Sequence, residues 1–131
     1  MNILISDDNN QKFERIKKVV LETYPNAFIH RTIYAKDTIN SLDDNQFDLI
    51  IQDMSLPINA DGRIELRGGL YVLRQLARKR NREKKYDIKV IVCSSDEASY
   101  QYMKEEGFEN TPFVNYSSFV FKNDLIELIK K

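Results

Sequence analysis

The apolar positions change period along the chain, and the changes mark five strands alternating with five helices. Residues 3–5, Ile-Leu-Ile, form a short apolar run that opens into Ser6, Asp7, Asp8, Asn9 and Asn10, residue types that cap helices. Phe13, Ile16, Val20 and Tyr24 then recur at helical spacing until Pro25 and Asn26 close the segment. Residues 27–33 alternate as a strand does, and Ala35, Ile39 and Leu42 make a short helical stripe that breaks at Asp43, Asp44 and Asn45. The run 47–52, with Leu49, Ile50 and Ile51 at its centre, is typical of a strand covered on both faces, and it stops at Asp53. Leu70, Leu73, Leu76 and Ala77 give a third helical face, which the basic stretch 78–85 finishes. Residues 89–93 repeat the doubly buried pattern and run into Ser94, Ser95 and Asp96. A fourth helix is predicted over 98–106, a fifth strand over 113–116, and a last helix around Leu125, Leu128 and Ile129.

Alternating strands and helices imply a parallel sheet with helices on both faces, because right-handed crossovers place them there. The expected architecture is a three-layer α/β sandwich. Sheets of this kind carry their working residues beyond the carboxyl ends of the strands. That rule singles out Asp7 and Asp8, Asp53, Ser94 and Ser95, and the segment after Tyr116.

Composition narrows the chemistry. The 131 residues suffice for one core, and 20 Lys and Arg balance 20 Asp and Glu, which argues against bulk electrostatic binding to nucleic acid or to an anionic membrane. No apolar run reaches membrane-spanning length and no basic-then-apolar leader is present, so the chain reads as cytoplasmic. One cysteine and one histidine, Cys93 and His30, leave neither a disulfide nor a zinc ligand set. Cys93 reads as a small buried apolar residue and His30 as an edge or surface position. The four glycines, at 62, 68, 69 and 107, spell neither GxGxxG nor a P-loop, which removes the dinucleotide and NTPase readings.

Asp7, Asp8 and Asp53 would meet at one sheet edge, each raising the cost of ionising the others. A cation relieves that cost, and carboxylate oxygens with room for water suit Mg2+. Mg2+ beside a carboxylate at a strand end suggests phosphoryl transfer onto that carboxylate. Asp53 is the nucleophile candidate, and Ser94, or Ser95 one register step on, could donate a hydroxyl to a phosphoryl oxygen.

These residues resemble the receiver domain of two-component response regulators. The resemblance rests on Ile3-Leu4-Ile5-Ser6-Asp7-Asp8, on Phe47-Asp48-Leu49-Ile50-Ile51-Gln52-Asp53-Met54-Ser55-Leu56-Pro57 and on Val90-Ile91-Val92-Cys93-Ser94-Ser95, and it covers nearly the whole chain. It implies a flavodoxin-like doubly wound sheet of order 2-1-3-4-5. It further implies Mg2+ held by Asp7, Asp8, Asp53 and the backbone carbonyl of Ser55, phosphate accepted on Asp53 from a histidine kinase or phosphotransfer protein, and Ser94 as the hydroxyl that moves toward the phosphoryl group. A phosphorelay receiver is a signalling domain, at most phosphorylating and dephosphorylating itself. With 131 residues used by the domain, output is expected through a separate partner protein, with no direct nucleic-acid or membrane role and with homodimerisation through the last two helices as an option.

Two departures stand out. Receivers carry a lysine at the end of strand five that pairs with the acceptor aspartate or its phosphate, and here Asn115, or Tyr116 one step on, takes that place. Residues 58–67 read as an insertion, in which Asn59-Ala60-Asp61-Gly62 signals a turn and 63–67 alternate as a short strand. Arg63 or Arg67 is the expected source of the missing charge; Lys12 and Lys122 are further candidates that the sequence does not place. The competing functional readings are a receiver-like interaction module that works without phosphorylation, and a Mg2+-dependent phosphatase with Asp53 as turnover nucleophile. The basic stretch 78–85 reads first as a solvated helix end, and Tyr100, Tyr102, Phe113 and Tyr116 as core packing beside a partner-binding face.

Overall fold

The computed structural model describes residues 1–61, 64–65, 68–95 and 97–131, with 64–65 described as backbone. Strands β1 (Asn2–Ser6), β2 (Phe28–Thr32), β3 (Leu49–Gln52), β6 (Lys89–Ser94) and β7 (Phe113–Asn115) form one sheet, and β4 (Leu56–Pro57) and β5 (Ile64–Glu65) form a separate ribbon. Helices α1 (Asn10–Thr23), α2 (Ala35–Asp44), α3 (Gly68–Arg80), α4 (Glu97–Glu105) and α5 (Phe121–Lys130) intervene. The sheet is parallel throughout, in the order β2-β1-β3-β6-β7, which is 2-1-3-4-5 when its own strands are counted. This is the doubly wound flavodoxin-like architecture that the sequence predicts. The strand expected over 27–33 is one residue shorter at each end, and the one expected over 113–116 stops at Asn115.

Strand alternation sorts the core into two layers. Ile3, Ile5, Leu49, Ile51, Ile91, Cys93 and Val114 face α1 and α5, meeting Phe13, Ile16, Val20, Phe121 and Leu125. Leu4, Ile50, Val90 and Val92 face the opposite way, onto Leu42 of α2, Leu70, Leu73 and Leu76 of α3, and Met103 of α4. His30 lies on the edge strand β2, between the rings of Phe28 and Phe47.

Three local devices bring the strand ends into position. Asn9 caps α1, its side chain accepting from the Lys12 backbone N–H at 2.9 Å, so the first turn starts directly after the acidic pair. Gly68 and Gly69 open α3 against the segment after β3. A Cβ on Gly68 would overlap the Leu56 carbonyl oxygen, and one on Gly69 would overlap the Asp53 carbonyl oxygen and fall 2.6 Å from Met54 Cα, so only glycine allows this approach. Thr38 of α2 locks the far side: its hydroxyl lies 2.9 Å from Ser6 Oγ and 2.6 Å from Thr32 Oγ1 and donates to the Tyr34 carbonyl. At the end of α4, Gly107 takes a positive φ of 88° and lets the Phe108 N–H reach back to the Met103 carbonyl.

Leu56 pairs with Glu65 and Pro57 with Ile64 in the antiparallel ribbon, and the Lys36 N–H donates to the Ile58 carbonyl, tying the segment to α2. The basic end of α3 is engaged locally: Lys79 pairs with Asp43 at 2.9 Å, and Arg80 donates to the carbonyls of Tyr86 and Ile88. Among the described residues, no helix is long and apolar enough to cross a membrane.

Candidate functional site

β1 and β3 are neighbours in register, Ser6 beside Gln52, and the Asp53 N–H donates to the Ser6 carbonyl at 2.9 Å. The residues that follow each strand therefore emerge side by side. Asp7, Asp8 and Asp53 each place a carboxylate oxygen within 4.8 Å of the others, with Asp7 and Asp53 buried and Asp8 half-buried. Gln52 braces the junction by donating its side-chain amide to the Asp53 carbonyl at 2.7 Å.

The centre of this cluster is filled by Lys12, one of the candidate cations that the sequence does not place. Lys12, on the first turn of α1, is only 5% exposed. Its ammonium donates to Asp53 Oδ1 at 2.9 Å and to the Cys93 carbonyl at 2.7 Å, and lies 3.0 Å from Asp7 Oδ2. The other Asp7 oxygen accepts from the Asn9 N–H at 2.9 Å. Acid, cap and base thus form one short circuit through residues 7, 9 and 12.

Burial pushes the Asp53 carboxyl up to about 6; Lys12 opposes that rise, Asp7 adds to it, and the Ser55 backbone N–H, bonded to the carboxylate, lowers it. Asp8 is raised, chiefly by burial and further by Asp7. Lys12 stays above its ordinary value, because Asp53 and Asp7 outweigh a desolvation that acts in the opposite direction. Three carboxylates against one ammonium leave two negative charges for a divalent cation to neutralise. Asp7 Oδ2 is buried without a hydrogen-bond partner, and all the side-chain donors are oxygens, so the set fits a hard cation.

Of the other predicted residues, Ser94 closes β6 next to β3, fully buried, with its Oγ 3.3 Å from Ser99 Oγ on α4. Ser95 is exposed. Asn115 closes β7 opposite Ser94 and accepts the Ser117 N–H at 2.9 Å. The Tyr116 ring lies 5.6 Å from the Lys12 ammonium, and its hydroxyl accepts from Arg15 at 3.3 Å. Lys122 is elsewhere, paired on the surface with Glu22 at 2.9 Å. Arg63 and Arg67 lie outside the described residues. Burial pushes the Cys93 thiol up to about 12, which keeps it protonated and leaves its carbonyl as its contribution to the site. Arg31 on β2 escaped the sequence reading: it donates to the Asp7 carbonyl at 3.1 Å while its guanidinium sits 4.4 Å from the Phe13 ring.

No family model and no curated protein matches the chain. Solved structures do. The bacteriophytochrome response regulator AtBRR superposes with a TM-score of 0.75 at 14% identity, over 98% of this chain and 89% of that one. A CheY-like response regulator receiver domain protein from Methanospirillum hungatei JF-1 gives 0.70 at 19% identity, over 98% and 90%. The isolated receiver domain of RcsB from Salmonella enterica serovar Typhimurium, determined with the phosphomimetic BeF3-, gives 0.72 at 19% identity, over 99% and 86%. The chain has the fold of response-regulator receiver domains.

Proposed function

We propose that this protein is a phosphorelay receiver that binds Mg2+ through Asp7, Asp8, Asp53 and the Ser55 carbonyl and accepts a phosphoryl group on Asp53. The observation that carries this reading is the convergence of three carboxylates with a buried ammonium at adjoining strand ends, on a receiver fold. An Asp53 carboxylate oxygen attacks phosphorus as the bond to the donor breaks, and the donor leaves with the electron pair. The donor is a phosphohistidine imidazole on a kinase or phosphotransfer protein, or a small acyl phosphate. The product is an acyl phosphate on Asp53, which water later hydrolyses. Mg2+ would neutralise charge on the transferred group.

Ser94 is the switch hydroxyl in this reading. Its proximity to Ser99 links the site to α4, whose Tyr100 packs edge-on against Phe113 of β7. A shift of Ser94 toward the phosphoryl group alters that link and, with it, the α4–β7 face on which a separate output protein would read the state. The chain would then act as a cytoplasmic signalling domain and not as a dedicated enzyme.

Incubation with acetyl phosphate and Mg2+, followed by intact-mass measurement, tests the proposal. One added phosphoryl group is expected in the wild type and none in Asp53→Asn. An unmodified wild type, alongside an active receiver as control, would leave a phosphorylation-independent interaction module as the reading.

A further inference from the structure

We infer that Lys12 is the cation that follows the phosphoryl group on Asp53, and that phosphorylation is therefore coupled into α1 in place of the end of β7. The inference rests on the phosphoacceptor reading of Asp53 and extends it to how the charge change is transmitted.

The Lys12 ammonium donates to Asp53 Oδ1 and to the Cys93 carbonyl and forms an ion pair with Asp7 Oδ2 at 3.0 Å. Phosphorylation would turn the Asp53 carboxylate into a neutral acyl group and place roughly two negative charges on oxygens beyond it. The strongest partner of a buried ammonium would then lie further out. Lys12, 5% exposed and ion-paired otherwise with Asp7 at 3.0 Å, moves toward those oxygens or loses its partner on Asp53.

That displacement is delivered to a defined place. The Lys12 backbone N–H is the one held by the Asn9 cap, and Asn9 in turn donates to Asp7, so movement of the ammonium loads the first turn of α1. Arg15, three residues on, lies 5.1 Å from the Tyr116 ring and 5.3 Å from the Phe121 ring. Tyr116 is itself 5.6 Å from the Lys12 ammonium. The end of β7 offers no formal charge of its own, since Asn115 is an amide held by Ser117 and Tyr116 is a phenol held by Arg15. Charge change at Asp53 is thus felt by α1 directly, and Lys12 and Arg15 carry it to the Tyr116 ring, beside the backbone bond that joins the Tyr116 N–H to the Ser94 carbonyl.

The test is a beryllofluoride titration in Mg2+, followed by NMR on isotope-labelled wild type, Lys12→Gln and Lys12→Arg. In the wild type, the Lys12 side-chain Cε and Nζ signals shift on saturation, together with the amides of residues 11–16 and of Tyr116. In Lys12→Gln, beryllofluoride affinity falls about tenfold or more and the α1 shifts are lost, while the shifts on α4 persist. Lys12→Arg recovers part of both. A wild-type Lys12 side chain that does not respond at saturation overturns the inference with no variant needed, as does a folded Lys12→Gln that binds with unchanged affinity and an unchanged α1 pattern. If the wild type neither binds beryllofluoride nor gains a phosphoryl group from acetyl phosphate, the phosphoacceptor reading fails, and this inference with it.

Discussion

The Lys12 ammonium lies 2.9 Å from Asp53 Oδ1 although 41 residues separate the two, and both are buried. The pair makes the free-acid and ionised forms of Asp53 unequal neighbours of the same charge. In the metal-free protein the Asp53 carboxyl is expected to titrate at about 6, as burial outweighs Lys12. Lys12→Met removes an influence that lowers this value, so the titration moves up, and Mg2+ moves it down. Because the folded protein holds this proton more tightly than the unfolded chain does, ionising Asp53 costs stability. The cost is absent below the ordinary value of 3.8, grows as pH rises toward about 6 and is complete above it. Carbon-detected NMR of the aspartate carboxyls checks the titration directly.

Divalent metal is expected to stabilise the fold. At roughly a hundredfold excess over its dissociation constant, Mg2+ would add about 2.7 kcal/mol, a rise in melting temperature on the order of 10 °C. Asp8→Asn, which removes the least buried of the three carboxylates, should abolish most of that rise while leaving the metal-free melt nearly unchanged. Calorimetry with and without Mg2+ distinguishes the two forms.

Gly69→Ala should destabilise, although alanine is ordinarily the better helix former by about 1 kcal/mol. The added methyl would press on the Asp53 carbonyl and on Met54 Cα, both backbone, at the base of the acidic cluster. A loss of about 1–3 kcal/mol in urea unfolding is expected, with slower phosphorylation by acetyl phosphate. A variant with unchanged stability would mean that α3 can retreat from β3 at little cost.

Away from the site, the Tyr86 hydroxyl donates to Asp43 at 2.6 Å, and that bond pushes the phenol up to about 12. Folding therefore favours the protonated phenol. The stability contributed is whole below the ordinary value of 10 and is lost as pH climbs from there to about 12. Tyrosinate absorbance should show a late-titrating phenol that returns toward 10 in Asp43→Asn.

Thr38→Val tests the hydroxyl cluster behind β1. It leaves Ser6 and Thr32, both buried, without the oxygen they share, at an expected cost of about 1–3 kcal/mol measured by urea unfolding.

The acidic half of the site was legible because each member lies just beyond an apolar run, across one polar residue: Asp7 and Asp8 after Ile3-Leu4-Ile5 and Ser6, Asp53 after Leu49-Ile50-Ile51 and Gln52. Parallel register then brings together what the chain separates. The basic member was harder to read. Lys12 was one candidate among Arg63, Arg67 and Lys122, and the sequence did not place it, yet it stands four residues before Ile16 and seven before Val19, in line with the buried stripe of that helix. A lysine at a core position in a first helical turn is the signal that could have found it. The adjacent pair Gly68-Gly69 carried a second signal, a close backbone approach, which only the three-dimensional contact with residues 53–56 explains. The Ser94–Ser99 contact depends on the docking angle of α4, which no local pattern encodes.

Asn9 caps α1 by holding the backbone of the residue whose side chain completes the site. The three carboxylates of the cluster and the ammonium ion-paired with two of them come from residues 7, 8, 12 and 53. The described part of the chain from α4 onward adds no carboxylate or ammonium to that cluster, and meets it through the Tyr116 ring. The charged cluster itself is encoded in a six-residue stretch, 7–12, and one aspartate.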